Sequence, residues 1–155
     1  MTHAPIPIPT YARPLGPDDQ EALTGIDEAY AAAFGLEPLV SKSSVSFYVR
    51  TGHAFVAVRG AAPVGFVFAQ AVWNGTRPTV YAVRLAVADP ADKGVREALL
   101  EALTKSAYDA AVYDLQAQVP EADGEAARAL SVKSYAPLAE RLYSRKLGSR
   151  GRGGA

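Results

Sequence analysis

The chain has 155 residues, which is the size of one domain with its own core. Its 16 basic and 16 acidic residues cancel, so no global charge favours nucleic acid or an anionic membrane. Cysteine is absent and the two histidines, His3 and His53, are far apart, which argues against disulfides, thiolate chemistry, a histidine metal site and a nucleophile–His–acid triad.

The opening "MTHAPIPIPT" alternates proline with small or branched residues and reads as an extended segment over residues 1–10. It has neither a basic n-region nor an apolar h-region, and no later stretch is apolar enough to span a bilayer; the default expectation is a cytoplasmic protein. The compact domain is expected over residues 11–147, followed by a disordered basic tail at 148–155.

"TYARPL" reads as the first strand. "GPDDQEALTGIDEAYAAAF" reads as a helix, with Leu23, Ile26, Tyr30 and Phe34 on one face, Asp18 and Glu21 at capping-box spacing, and Gly35 as terminator. "SKSSVSFYVRTG" reads as a second, shorter helix started by serine and ended by Gly52. "HAFVAVR", "PVGFVFAQAVW" and "TVYAVRLAV" then form an antiparallel meander, the last two joined at Asn74–Gly75, a pair that tolerates positive φ.

The stretch "VADPADKGVREALLEAL" opens the next helix, with Ala91, Val95, Ala98, Leu99, Ala102 and Leu103 on one face. It is compatible with two readings. One is an ordinary helix with Asp89 as N-cap, Pro90 at the first position and Asp92 in the first turn. The other is a loop whose amides hold an anion. "VYDLQAQV" alternates as a strand, and strand–helix–strand implies a parallel pair with a right-handed crossover. "EADGEAARALSVKSY" reads as the last helix, and "ERLYSRKL" as a final strand or a helical continuation. The fold class is therefore α/β (α+β): a mixed sheet with an antiparallel meander followed by a parallel βαβ crossover, and helices on both faces.

This element order resembles the GNAT superfamily of acyl-CoA-dependent N-acyltransferases over roughly residues 10–147. The segments that carry the likeness are "PVGFV" at 63–67, "RLAVADP" at 84–90, "GVREALLEAL" at 94–103 and "AARAL" at 126–130. The family's pyrophosphate loop has the form Arg/Gln-x-x-Gly-x-Gly/Ala. In "ADKGVR" only Gly94 matches; Ala91 and Arg96 depart from the pattern. The resemblance implies acetyl-CoA or another acyl-CoA as co-substrate and no metal. It implies pyrophosphate contacts from Lys93, Gly94, Val95 and Arg96, the last through its side chain, and pantetheine contacts from the backbone of Leu85, Ala86 and Val87.

For catalysis the resemblance implies a hydroxyl acid near the end of the last helix. Ser131 stands where the family often has tyrosine, with Tyr135 a turn further on. Asp114 is the carboxylate within the fifth strand and a candidate general base; Arg84 and Gln116 are candidate acceptor contacts, or Arg84 is a buried ion pair, with Asp114 as a partner. The acceptor would be a small-molecule or peptide amine; no membrane or nucleic-acid partner is implied, and a homodimer is compatible. A rival reading is a non-catalytic GNAT-fold protein that binds a small ligand or a protein. A third, RNA contact, rests only on the tail "RKLGSRGRGG".

Overall fold

The computed structural model describes residues 8–148, so His3, most of the 1–10 segment and nearly all of the 148–155 tail lie outside the described residues. Strand β1 (Thr10–Pro14) leads through a 3-10 turn (Pro17–Asp19) into α1 (Gln20–Phe34) and α2 (Lys42–Thr51). Strands β2 (Phe55–Arg59), β3 (Ala62–Trp73) and β4 (Pro78–Val87) follow, then α3 (Val95–Asp109), β5 (Leu115–Ala117) and α4 (Gly124–Val132). The five strands form one sheet in sequence order, antiparallel except for the parallel β4–β5 pair.

Local chemistry explains most boundaries. Gly35 and Gly52 end α1 and α2 in the left-handed region, at φ 66° and 77°. Ser41 caps α2 by accepting the Ser44 amide at 3.1 Å. At the start of α1 the N-cap residue is Asp19 and not the expected Asp18, and its carboxylate closes the preceding 3-10 turn instead of capping the helix amides. It accepts the Gly16 amide at 2.7 Å and is gripped by Arg13 at 2.7 and 2.8 Å. The β3–β4 turn also differs from expectation: only Gly75 has positive φ, at 97°, while the Asn74 side chain accepts the Thr76 and Arg77 amides at 2.9 Å.

Helices cover both faces of the sheet. On one, Phe66 and Phe68 pack together and Tyr48 of α2 stacks on Phe68 at 4.5 Å between ring centroids. On the other, β3 presents Gly65 to α3. A Cβ there would lie 2.6 Å from Val95 Cγ1 and 2.8 Å from the Ala86 carbonyl oxygen, so the start of α3 rests almost on the sheet backbone. Leu99, Leu100 and Leu103 of α3 are fully buried.

Three elements are shorter than the pattern predicts. Strand β5 has three residues instead of eight, because β4 bends away from it. The last helix ends at Val132, where Ser134 turns left-handed at φ 70°, so Tyr135 is not on it. Residues 139–148 are neither strand nor helix.

Candidate functional site

Between β3 and β4 the register is Phe68 with Arg84 and then Ala69 with Ala82, which leaves Val83 as an extra residue. Such a bulge bends its strand. Here it falls where β4 leaves β5: the parallel register covers Val80–Ala82 against Leu115–Ala117, and the last rung is the Gln118 amide to the Ala82 carbonyl at 2.9 Å. Beyond it, among the described residues, no backbone hydrogen bond joins the two strands. A cavity of about 90 Å³ opens at the parting, lined by Leu36, Val83, Arg84, Gln118, Val119 and Pro120.

The backbone direction past the bulge follows from the register. The Ala88 amide donates to Val64, so Ala88 and Ala86 face β3. The amides and carbonyls of Leu85 and Val87 therefore face the open side. Of the three residues expected to hold a pantetheine arm, Leu85 and Val87 have backbone groups on the open side with no partner among the described residues, and Ala86 is committed to the sheet.

The helix after β4 starts later than expected. Residues 88–94 form a loop and Gly94 is the N-cap, displacing Asp89 and Pro90 from the cap and first-turn positions. Asp89 instead accepts the Ala91 amide within the loop at 3.0 Å. Asp92 turns back over the helix start, where its Oδ1 accepts the amides of Gly94 at 3.0 Å and Val95 at 3.3 Å. Arg59, at the end of β2, holds the same carboxylate at 2.6 and 3.1 Å. The Arg59 hydrogen bonds, reinforced by the two amides, keep the Asp92 pKa below the usual carboxylate value against the cost of burial. Two of the amides expected to face an anion are thus already engaged. The Arg96 and Glu97 amides have no partner among the described residues, and Lys93 is exposed with no ion-pair partner among them.

The Arg96 side chain is 1% exposed and points inward. It donates to both Asp123 oxygens at 2.9 and 3.0 Å and to the Asp92 carbonyl at 3.0 Å. Asp123 in turn caps α4 through the Ala126 amide at 3.1 Å and accepts the Tyr30 hydroxyl at 2.5 Å. Burial, with this carboxylate beside it, pushes the Tyr30 phenol well above its ordinary pKa. A guanidinium so engaged is not turned toward a phosphate; Arg96 joins α3, α4 and α1 instead.

Arg84 is also ion-paired, but with Asp27 and not with Asp114. Its NH1 lies 2.7 Å from Asp27 Oδ1 and its NH2 donates to the Glu37 carbonyl at 2.9 Å. The second Asp27 oxygen accepts the amides of Leu39 and Val40 at 2.5 and 2.9 Å. Asp27, fully buried, thus ties the α1–α2 loop to β4 at the cavity. It carried a signal in the sequence, since it stands four residues after Leu23 and three before Tyr30 on the apolar stripe. Asp114 pairs with Arg77 at the other end of β5, half-exposed and outside the cavity lining; Gln116 is exposed on β5. Ser131 is exposed on α4. Tyr135 packs against the core, and its hydroxyl is buried with no hydrogen-bond partner among the described residues. Desolvation raises its pKa. Neither Ser131 nor Tyr135 lines the cavity.

A mixed sheet whose parallel pair parts at a bulge, with a helix start set against the opened strand, defines the GNAT fold, and solved structures match it over most of their length. The aminoglycoside N-acetyltransferase AAC(6')-Iy in complex with CoA matches at a TM-score of 0.73 and 14% identity, covering 93% of this chain and 99% of the other. Ribosomal-protein-alanine N-acetyltransferase from Brucella melitensis biovar Abortus 2308 matches at 0.69 and 17%, covering 90% and 100%. At 34% identity the chain is similar to TTHA1254 from Thermus thermophilus, with a TM-score of 0.73 and 90% and 98% of the two chains covered. No curated protein matches the sequence. Residues 38–152 match the family described as "Protein of unknown function (DUF1999)", and the chain belongs to that family.

Proposed function

We propose that the chain is an acyl-CoA-dependent N-acyltransferase that moves an acetyl or other acyl group to a small-molecule or peptide amine. The observation that carries this reading is the parting of β4 from β5 at Val83. It leaves the backbone of Leu85 and Val87 unpaired, among the described residues, beside the start of α3. Unpaired strand backbone at a buried edge has a hydrogen-bonding requirement that an extended, amide-bearing arm meets. The cofactor complex of the aminoglycoside enzyme supports the choice of acyl-CoA.

The donor set fits such a molecule in part. Leu85 and Val87 would hold the pantetheine arm, and Lys93 with the Arg96 and Glu97 amides the pyrophosphate. The bound molecule supplies an activated thioester carbonyl. The chain supplies placement of that carbonyl against the amine, which is the larger share of acceleration for acyl transfer between bound partners. It also supplies backbone donors beside the carbonyl oxygen. The Arg84–Asp27 pair fixes the α1–α2 loop, and so one wall of the cavity where the amine would enter. Asp114, Gln116, Ser131 and Tyr135 lie away from that lining, so proton removal falls to solvent or to the acceptor's own ionisation state.

A second reading, a non-catalytic binding protein of the same fold, is favoured by one observation: Asp92 already engages the Gly94 and Val95 amides. A thiol-release assay with acetyl-CoA and a panel of primary amines separates the two. Amine-dependent CoA release above the hydrolytic background supports the transferase. CoA binding without release for any amine supports the second reading.

A further inference from the structure

At the wall of the cavity Arg84 is a buried cation with most of its hydrogen bonds unmade. Its side chain is 9% exposed, and it lines the cavity together with Leu36, Val83, Gln118, Val119 and Pro120. A guanidinium has five N–H donors. One reaches Asp27 and one the Glu37 carbonyl; the others, Nε–H among them, have no partner among the described residues. Asp27 makes no further demand on them, since its second oxygen already accepts the Leu39 and Val40 amides. The Nε of Arg96 is also unpartnered, but it is sealed from solvent, whereas no atom of Arg84 is both sealed and unpartnered. The spare donors of Arg84 are therefore open to a ligand in the cavity it lines.

A second donor lines the same space. The Tyr81 hydroxyl donates to the Gln118 side-chain oxygen, which leaves the Gln118 amide nitrogen with no acceptor among the described residues. The other lining residues are apolar, and none is a carboxylate. Glu37, on the loop beside the cavity, has its charge met by Lys146. A buried cation with spare donors, a neighbouring amide N–H and no carboxylate in the lining form the donor set for an oxygen anion. The planar fork of arginine matches the two oxygens of a carboxylate.

On the acyltransferase reading, we infer that the acceptor is a small amino acid: a molecule whose carboxylate is held by Arg84 and Gln118 while its amine takes the acyl group. Arg84 directly precedes Leu85, whose backbone faces the open side of β4, so a carboxylate at the guanidinium anchors the amine close to the thioester. At about 90 Å³ the cavity has room for a group of that size. A peptide amine brings only neutral carbonyls to this wall, and a polycationic amine brings a like charge. The transfer makes the acyl C–N bond as the thioester C–S bond breaks, and the proton lost by the amine passes through solvent to the departing thiolate. The products are an N-acyl amino acid and free CoA.

The test is CoA release from acetyl-CoA with matched pairs of acceptors, each a free amino acid and its carboxamide. In the productive pair kcat/KM is expected to be at least about tenfold higher for the free acid, the worth of a hydrogen bond to a charged group. Amine ionisation does not mimic this, because the carboxylate keeps its neighbouring amine protonated and so works against the acid. Gln118→Ala, at an exposed residue, should raise KM for the acid and leave KM for the carboxamide unchanged. Arg84→Lys keeps a cation for Asp27 but loses the fork, and should bring the two acceptors close to parity. Equal turnover of acid and carboxamide by the wild type, or an acid preference that survives both substitutions, overturns the inference while the transferase reading stands. Release with a peptide or a polyamine but with no amino acid does the same. Absence of release with any amine overturns the transferase reading and this inference with it.

Discussion

Arg96 and Asp123 form a buried pair, 1% and 2% exposed in their side chains, with the guanidinium 2.9 and 3.0 Å from the two carboxylate oxygens. Position 96 holds arginine where the family's loop pattern has a small residue. The side chain that takes this place connects the start of α3 to the cap of α4 and, through Asp123, to Tyr30 of α1. A buried pair of this kind contributes little against a well-packed apolar substitute, but halving it is costly.

Arg96→Met is therefore expected to destabilise the chain by about 3–5 kcal/mol, because it leaves the Asp123 carboxylate buried with only the Ala126 amide and the Tyr30 hydroxyl. Asp123→Asn on the Arg96→Met background should recover much of that loss, since asparagine keeps the α4 cap without the charge. Urea unfolding of the two variants checks the order. A double variant no more stable than Arg96→Met would mean that the cost lies in packing and not in the stranded charge.

Gly65 is required by contact and not by backbone conformation, since an added Cβ would lie within 3 Å of Val95 and of the Ala86 carbonyl. Gly65→Ala should push the start of α3 off the sheet and cost about 1–3 kcal/mol, the range for overpacking a closed contact. Thermal unfolding reads the loss. Smaller Val95→Ala on the Gly65→Ala background should return part of it, whereas no recovery would point to the Ala86 carbonyl as the obstacle.

His53 is buried, and desolvation lowers its pKa from 6.5. Its Nδ1 lies 2.9 Å from Ser106 Oγ, and the Ser106 hydroxyl is already donated to the Leu103 carbonyl at 3.0 Å, so the imidazole is the donor. The unfolded chain binds a proton at this residue more readily than the fold does. Its stabilising contribution is thus complete above pH 6.5 and is lost as pH falls from there through the lowered folded pKa. Urea unfolding at about pH 7.5 and about pH 5.5, either side of the ordinary histidine value, should show lower stability at the acid end for the wild type and a smaller difference for His53→Gln. Equal differences in the two proteins would remove His53 as the cause.

The loop over residues 36–40 is held by Asp27 through the Leu39 and Val40 amides and by Arg84 through the Glu37 carbonyl. Asp27→Ala should release it, with hydrogen exchange at Leu39 and Val40 faster by at least about tenfold, while exchange in β2 and β3 stays slow. Loop exchange unchanged from wild type would show that packing, not Asp27, holds the cavity wall.

The architecture was legible in the sequence because most elements carry their own punctuation. Gly35 and Gly52 stop two helices, Asn74–Gly75 marks the last turn of the meander, and the strand–helix–strand run from Thr79 to Val119 can close only as a parallel crossover. The free backbone of β4 was implied by resemblance alone, through the pantetheine contacts expected of Leu85, Ala86 and Val87, since nothing in "VYAVRLAV" announces that Val83 is an extra residue. Register is a property of two strands. The charged partners were least legible. Asp27, Arg59 and Asp123 reach Arg84, Asp92 and Arg96 across 57, 33 and 27 residues of chain, and no local pattern encodes which carboxylate meets which guanidinium. Asp92 was visible as a charge at the helix start; that it fills the amides depends on Arg59 behind it.

The central claim is that the slot between β4 and β5, with the start of α3, takes acyl-CoA. Asp92 bears on it most directly, because its charge sits on the amides that would face the pyrophosphate. Calorimetric titration of CoA into the wild-type chain and into Asp92→Ala tests the claim. The account predicts saturable binding to the wild type, tightened about tenfold in Asp92→Ala as the Gly94 and Val95 amides are freed and a like charge is removed. No binding to either protein at millimolar CoA would contradict it.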